Sequence, residues 1–132
     1  RRLGERVFAD PTERRALETM LHPRIRAVMT ERAGALAAPY AVLVIPLLVE
    51  TGERAWVDRV LVVDCPEEEQ IRRAAARDGR GADEVRSIMA AQAARAERLR
   101  QADDVIVNDR DLAQLEREVE RLHRSYLSLA GA

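Results

Sequence analysis

Apolar residues follow two different spacings along the chain, and their succession predicts an α/β fold. Residues 42–50 read Val-Leu-Val-Ile-Pro-Leu-Leu-Val-Glu, an apolar run rich in β-branched residues. Such a run is typical of a strand buried on both faces of a parallel sheet, so we predict a strand over 41–49 that Pro46 brings to an end. The same pattern predicts a second buried strand over 59–64 and a third, short strand over 104–107.

The chain before the first strand has helical spacing. Asp10-Pro11-Thr12-Glu13 predicts a helix start, with Asp10 as the N-cap and a proline at the first helical position. Pro23 is expected to break this helix after His22, and a second helix is expected to continue to Gly34.

Three further helices are predicted after the second strand. The first runs from Pro66 to about Arg77, and the glycine-containing sequence 78–81 ends it. A long helix is expected over 83–100, and an amphipathic helix runs from Asp111 to about Leu129. Asn108 or Asp109 is the expected cap of that last helix. Strands and helices alternate from residue 41 onward, which predicts a parallel sheet with crossover helices.

Composition narrows the class of protein. The 132 residues suit one domain, and 47% of them are apolar, enough for a core. The 22 basic residues, all arginine, nearly balance 23 acidic ones, and aromatic residues make up 3%, so neither a basic field nor a stacking surface for nucleic acid is expected. Cys65 is the only cysteine, which excludes an intrachain disulfide and any Cys/His metal motif. Without a membrane-spanning run or a signal peptide, the expected location is the cytoplasm.

Two clusters of residues precede or end the first predicted strand. Glu50 follows Pro46-Leu47-Leu48-Val49 at the carboxyl end of the strand, where open α/β sheets place their ligands. A carboxylate there would orient a hydroxyl or a metal-bound water, or it would be an ordinary surface residue. His22-Pro23 is best interpreted, from the residues alone, as a structural corner.

Two further clusters lie after the second predicted strand. Arginines surround the glycine-containing break at 78–81, as a mobile lid over phosphate groups requires, although most of them are expected to be solvated helix surface. Gln92, Arg95 and Leu99 have the spacing of one helix face, and Asn108 ends the third strand, where its amide is placed to contact a base edge or to form a turn.

Taken in order, these clusters resemble the dephospho-CoA kinases, a family of P-loop kinases. The resemblance covers nearly the whole chain and rests on motifs that are moderately specific singly and strong in this order: Leu3-Gly4 with Val7-Phe8, Leu21-His22-Pro23, Ile45 to Glu50, Val60 to Asp64, Arg77-Asp78, Gln92, Arg98, Ala102-Asp103, Val105-Ile106 and Asn108. The family phosphorylates the ribose 3′-hydroxyl of dephospho-CoA with ATP and Mg²⁺. The resemblance implies part of a three-layer α/β/α P-loop NTPase sheet with a helical CoA-binding region and a helical lid.

The resemblance also implies a division of the chain and a set of site residues. Residues 1–40 would form the helical CoA-side region, 41–77 with 101–132 the kinase core, and 78–100 the lid. His22, Pro23, Leu47, Leu48 and Glu50 would bind the acceptor, Arg77 would contact the ATP phosphates, and ATP would be bound by Gln92, Arg98 and Asn108.

The sequence departs from the family at several positions. Ile88 stands where many relatives have an arginine four residues before the glutamine, which removes one expected lid contact. Asp109-Arg110 stands where a glycine usually follows the asparagine, which would alter the adenine loop. The Walker A motif Gly-x-x-x-x-Gly-Lys-Ser/Thr does not occur here, and so the family's Asp-x-Asp segment directly after that motif is missing as well.

The missing motif leads to a prediction about the fold. In these kinases the P-loop strand lies between the strands predicted at 41–49 and 59–64, so those two strands should not pair directly. We therefore expect residues 1–132 to be the C-terminal two-thirds of a longer enzyme and to be inactive alone. Two alternatives remain open: another P-loop nucleoside or nucleotide kinase, and a non-catalytic α/β binding module that pairs with another subunit. The sequence does not fix the oligomeric state.

Overall fold

The computed structural model describes residues 10–132, and these divide into two compact units between Leu43 and Val44. The predicted matches at Leu3-Gly4 and Val7-Phe8 lie outside the described residues. None of the described helices is both long and apolar enough to cross a membrane.

In its described part, residues 10–43, the first unit contains one helix, α1, which spans Pro11–Gly34. Asp10 is its N-cap, as predicted, and accepts a hydrogen bond from the amide of Thr12 (2.7 Å). The predicted break at Pro23 is wrong, because α1 continues through it. A proline removes one backbone hydrogen bond, at a cost of about 3 kcal/mol, but the strong helix formers on both sides continue the helix without a second, costly nucleation.

The strand predicted over 41–49 is wrong. Residues 41–45 have no regular structure, 46–47 form a turn, and a short helix, α2, covers Leu48–Thr51. Val42 and Val44 are 66% and 81% exposed. A strand needs a neighbouring backbone to satisfy its amides and carbonyls, and no described segment pairs with this one.

Two parallel strands form the sheet of the second unit. β1 is Leu61–Asp64 and β2 is Asp104–Val107, with Leu61 opposite Asp104 and Asp64 opposite Val107. Both were predicted, and the prediction that the 41–49 segment does not pair with β1 agrees with this topology. The buried apolar residues are few among those described: Val60, Ile71, Val85, Ile106 and Leu122.

Helices cover the sheet and connect its strands. After a 3-10 helix at Glu53–Trp56, α3 spans Glu67–Asp78 and ends at Gly79, whose φ of 65° is in the left-handed region that favours glycine. The terminal helix α6 spans Leu112–Leu129, with Asp111 as its N-cap instead of the expected Asn108 or Asp109. Asp111 accepts a hydrogen bond from the amide of Gln114 (2.8 Å), since it directly precedes the first helical residue.

The long helix predicted over 83–100 is two helices. α4 spans Ala82–Ala90 and α5 spans Arg95–Gln101, and residues 91–94 form a connection between them, called here the 91–94 connection. α4 packs on α3, and α5 packs on both α2 and β1. The sequence pattern does not reveal this break, because alanine and arginine are compatible with both helical and irregular backbone. Tertiary contacts therefore decide where each helix ends.

Ion pairs fix the amino ends of the two strands. Asp103 accepts two hydrogen bonds from the Arg54 guanidinium (2.9 and 3.0 Å) and one from the amide of Val60 (2.8 Å). The adjacent Asp104 is paired with Arg59 (2.9 and 3.2 Å) and accepts a hydrogen bond from the Tyr126 hydroxyl of α6 (3.0 Å).

Candidate functional site

The candidate site lies at the carboxyl edge of the sheet, where both parallel strands end. Asp64 is the last residue of β1, and Asn108 directly follows β2. The amide of Asn108 donates a hydrogen bond to the carbonyl of Asp64 (2.7 Å), so the two strand ends are adjacent. Open parallel sheets bind their ligands at this edge.

An ion pair between a buried aspartate and a partly exposed arginine joins this edge to helix α5. Asp64 is 6% exposed, and its two carboxylate oxygens accept hydrogen bonds from Nε (2.8 Å) and a terminal nitrogen (2.5 Å) of Arg95. The hydrogen bonds from Arg95 lower the pKa of Asp64, although burial acts in the opposite direction. The carboxylate therefore stays ionised, and a bidentate pair of this kind orients the first turn of α5.

In the 91–94 connection, Ala93 forms hydrogen bonds with two side chains from different helices. Oε1 of Glu50, in α2, accepts a hydrogen bond from the amide of Ala93 (2.8 Å). A terminal nitrogen of Arg98, in α5, donates to the carbonyl of Ala93 (2.5 Å). Glu50 and Arg98 were both predicted as site residues, and the structure brings them to the same peptide segment.

Asn108 is bonded by an arginine of α3. A terminal nitrogen of Arg73 donates to the carbonyl oxygen of Asn108 (2.9 Å) and to its side-chain oxygen (3.2 Å). Nε of Arg73 also donates to Glu69 (2.6 Å), and hydrogen bonds from Arg72 and Arg73 lower the pKa of Glu69 to about 2. The side-chain oxygen of Asn108 is thus oriented by α3.

The other predicted residues are less closely connected. Arg77 is at the end of α3, with its side chain 77% exposed and paired with the neighbouring Asp78 (2.7 Å). Gln92 is exposed in the 91–94 connection, so the expectation that it lies on one helix face with Arg95 and Leu99 is wrong. Leu47 is exposed and Leu48 half-buried at the start of α2, while His22 and Pro23 lie within α1 of the first unit.

Asp64 and Arg95 were not singled out as site residues from the sequence. A carboxylate at the end of a buried strand was the available signal for Asp64. Arg95 was one of many arginines on a predicted helix, and its partner is 31 residues away in the chain, so helical spacing does not distinguish it from surface arginines.

The described residues contain no group of three or more His, Cys, Asp or Glu residues that would hold a metal ion. The carboxylates at this edge are engaged instead with arginines and with backbone amides.

Comparison with known proteins identifies the family. A family model described as dephospho-CoA kinase matches residues 1–114. The dephospho-CoA kinase of Thiobacillus denitrificans is 58% identical over 130 residues, which are 98% of this chain and 64% of the relative. That of Dechloromonas aromatica is 55% identical over 130 residues and 63% of its own length. The chain therefore spans less than two thirds of the curated relatives named here.

Solved structures agree with this assignment. A crystal structure from Thermus thermophilus superposes with a TM-score of 0.82 at 36% identity, over 93% of this chain and 64% of that one. A dephospho-CoA kinase from Campylobacter jejuni matches with a TM-score of 0.55 at 21% identity, over 96% of this chain and 64% of that one, a likeness of fold alone. These matches confirm the predicted α/β fold of the P-loop kinases. The chain belongs to the dephospho-CoA kinase family.

Proposed function

We propose that this chain is the C-terminal two-thirds of a cytoplasmic kinase that transfers the γ-phosphate of Mg²⁺-bound ATP to the ribose 3′-hydroxyl of dephospho-CoA. This reaction is the last step of coenzyme A biosynthesis. Residues 1–132 match relatives of this name over 98% of the chain, but cover only 63–64% of those relatives. We infer that the phosphate-binding loop belongs to the part of the enzyme outside this sequence.

One observation carries the proposal beyond the family match. Three of the predicted site residues, Glu50, Arg98 and Asn108, come from distant parts of the sequence and are connected at the carboxyl edge. Glu50 and Arg98 bind the same residue, Ala93, two positions before the arginine that pairs with Asp64. The backbone amide of Asn108 in turn donates a hydrogen bond to the backbone carbonyl of Asp64. An edge of this kind is where a nucleotide is expected in a parallel α/β sheet.

The roles of the individual residues follow from this arrangement and from the family. Gln92, Arg98 and Asn108 would bind ATP, and the acceptor would be bound by His22, Pro23, Leu47 and Leu48. Glu50 would serve the acceptor side through its hydrogen bond to the Ala93 amide and not by contact with the acceptor. Arg98 supplies a guanidinium near the edge, which suits the developing charge on phosphate oxygens. Mg²⁺ enters with the nucleotide as part of the substrate.

Arg77 is proposed to contact the phosphates from the lid, residues 78–100. Its side chain is exposed, and the hydrogen bonds that it donates to Asp78 raise the pKa of Arg77. A surface pair between neighbouring residues contributes little to stability, so exchanging Asp78 for phosphate oxygens would cost little. The break at Gly79 provides the backbone freedom that a lid needs.

Phosphoryl transfer by the longer protein tests this proposal. With Mg²⁺, ATP and dephospho-CoA, we expect ADP and CoA in equal amounts, with CoA identified by mass spectrometry against an authentic standard. Adenosine and AMP serve as control acceptors. Preferential phosphorylation of either would indicate a different nucleoside or nucleotide kinase. The absence of turnover with any acceptor would favour a non-catalytic binding module.

A further inference from the structure

The 91–94 connection is short and has little chemistry of its own. Three of its four residues are alanine, and the fourth is the exposed Gln92. Its first two amides continue the end of α4, donating to the carbonyls of Ile88 (3.2 Å) and Met89 (3.0 Å). From Ala93 onward the backbone depends on side chains from elsewhere in the fold.

The Ala93 amide donates its hydrogen bond to Glu50, which lies 43 positions earlier in the sequence. The carbonyl of the same residue accepts from Arg98, so both polar groups of Ala93 are held by side chains. The carbonyl of Ala94 then accepts from the amides of Glu97 and Arg98 (2.9 and 3.1 Å), which begins helix α5. Ala93 therefore directly precedes Ala94, the N-cap of α5, and the position of Ala93 depends on Glu50.

Ala93 links α4, which belongs to the predicted lid, to the ion pair of Asp64 and Arg95. α4 precedes the 91–94 connection, and Arg95, two residues after Ala93, is fixed to Asp64. α2, which carries Glu50, packs on α5. A shift of Ala93 would therefore move Gln92 and the guanidinium of Arg98 relative to the carboxyl edge.

We propose that Glu50 is a positioning residue that acts through the Ala93 amide. Its side chain must place an acceptor oxygen within hydrogen-bond distance of that amide, and its negative charge is not required. This inference rests on the proposed function, because it assigns Glu50 a way of acting within that site. A proton-accepting, metal-binding or cation-pairing role would require the charge. Accepting one backbone hydrogen bond requires only a carbonyl oxygen at the position of Oε1.

Two substitutions separate reach from charge. Glu50→Gln keeps the length of the side chain and an acceptor oxygen but removes the charge, whereas Glu50→Asp keeps the charge and shortens the side chain by one methylene. Glu50→Ala removes both. Glu120→Gln changes an exposed glutamate of α6 that pairs with Arg124, and it is the matched control.

The longer protein is assayed for phosphorylation of dephospho-CoA with each variant. We expect Glu50→Gln to keep kcat within about threefold of the parent. Glu50→Asp and Glu50→Ala are expected to lower kcat by about 10- to 100-fold, with KM for dephospho-CoA changed less than about threefold, because small misplacements of catalytic groups reduce turnover steeply. If Gln loses as much activity as Asp and Ala, the charge is required and the proposal fails.

Amide hydrogen exchange provides a readout that does not depend on the reaction. The Ala93 amide should exchange faster in the Asp and Ala variants than in the parent and in the Gln variant, while amides of β1 and β2 keep their protection. Unchanged exchange at Ala93 in all variants would overturn the positioning role. A protein that makes no CoA would refute the proposed function, and the exchange data would still decide whether Glu50 holds Ala93.

Discussion

Asp103 accepts hydrogen bonds from Arg54 and Val60, which lie 49 and 43 positions away in the chain, although it lies at the surface. Its carboxylate binds the Arg54 guanidinium and the Val60 amide, and these bonds lower the pKa of Asp103 to about 2. An unfolded aspartate has a pKa of about 3.9, so the folded state binds the proton less tightly than the unfolded state does. The ionised carboxylate therefore stabilises the fold above about pH 4, and this contribution is lost as the pH falls toward 2.

Replacing Asp103 with Asn should reveal this pH dependence. The variant is expected to unfold at lower urea concentration than the parent at pH 7, since the Arg54 pair loses its charge. The difference should shrink as the pH falls from 4 to 2, where the parent carboxylate becomes protonated as well. Urea unfolding followed by circular dichroism at each pH measures it, and a difference that stays constant down to pH 2 would contradict the assigned cause.

A control is needed because other carboxylates titrate in the same range, and Glu69 also has a pKa of about 2. Glu120→Gln removes an exposed i,i+4 pair on α6, where such pairs contribute about 0.3–0.5 kcal/mol. It should show only a small difference. The comparison isolates the share of the acid sensitivity that belongs to Asp103.

The sequence alone did not predict which side chains pair with each other. Glu50 and Asn108 were predicted as site residues because they follow apolar runs. In the structure Asn108 lies at the carboxyl edge, and Glu50 is hydrogen-bonded to Ala93 in the connection that leads to Arg95. Asp64 and Arg95 were missed as a pair, since a long-range ion pair depends on how α5 approaches β1. Residue type and spacing predict which side chains are polar at an element's end, whereas packing decides which ones meet.

At the scale of elements, helix α6 covers β2 through few contacts, so one buried residue matters greatly. Leu122 is 3% exposed, and α6 packs on β2. Leu122→Ala is expected to reduce the free energy of unfolding by about 2–5 kcal/mol, the usual cost of removing a buried leucine side chain. Leu129→Ala, at a position 63% exposed on the same helix, should change it by no more than about 0.5 kcal/mol.

Urea unfolding of the longer protein at pH 7 measures both leucine variants. Equal small effects would show that α6 is not anchored through Leu122. The helix itself should be retained in both variants, because alanine has the highest helix propensity. A lower unfolding free energy with unchanged helical circular dichroism before the transition would therefore be attributed to packing.

Elements that satisfy their own backbone were predicted well, and those that need a partner were not. α3 and α6 were predicted within a few residues because their hydrogen bonds are local and their apolar faces keep the helical period. Residues 41–49 have the composition of a buried strand but no described neighbour to pair with, so 41–45 remain irregular and 48–49 belong to α2. Pro23 and the 91–94 connection were misjudged for related reasons, since neither one proline nor one alanine-rich run decides alone where a helix stops.

At the scale of the whole molecule, exposed apolar residues agree with the proposal that more of the protein pairs with this chain. Val42 and Val44 have their side chains largely in solvent, and so does Val63 of β1. Exposed β-branched side chains in such stretches are uncommon in a finished fold, because they leave apolar surface without partners. We propose that a strand from outside this sequence pairs with β1, and the resemblance to the family implies that this strand leads into the phosphate-binding loop.

ATP binding by the two lengths of chain tests this proposal. We expect residues 1–132 alone to bind Mg²⁺-ATP at least about 100-fold more weakly than the longer protein, because the backbone amides and lysine of a Walker A loop contribute several kcal/mol to phosphate binding and every 1.4 kcal/mol is tenfold in Kd. Isothermal titration calorimetry measures both, with circular dichroism to show that residues 1–132 retain helix. The longer protein with its Walker A lysine changed to alanine is the matched control and should bind more weakly than the parent. Tight binding by residues 1–132 would mean that the arginines at the carboxyl edge suffice for the nucleotide, and the proposed division of the site would then be wrong.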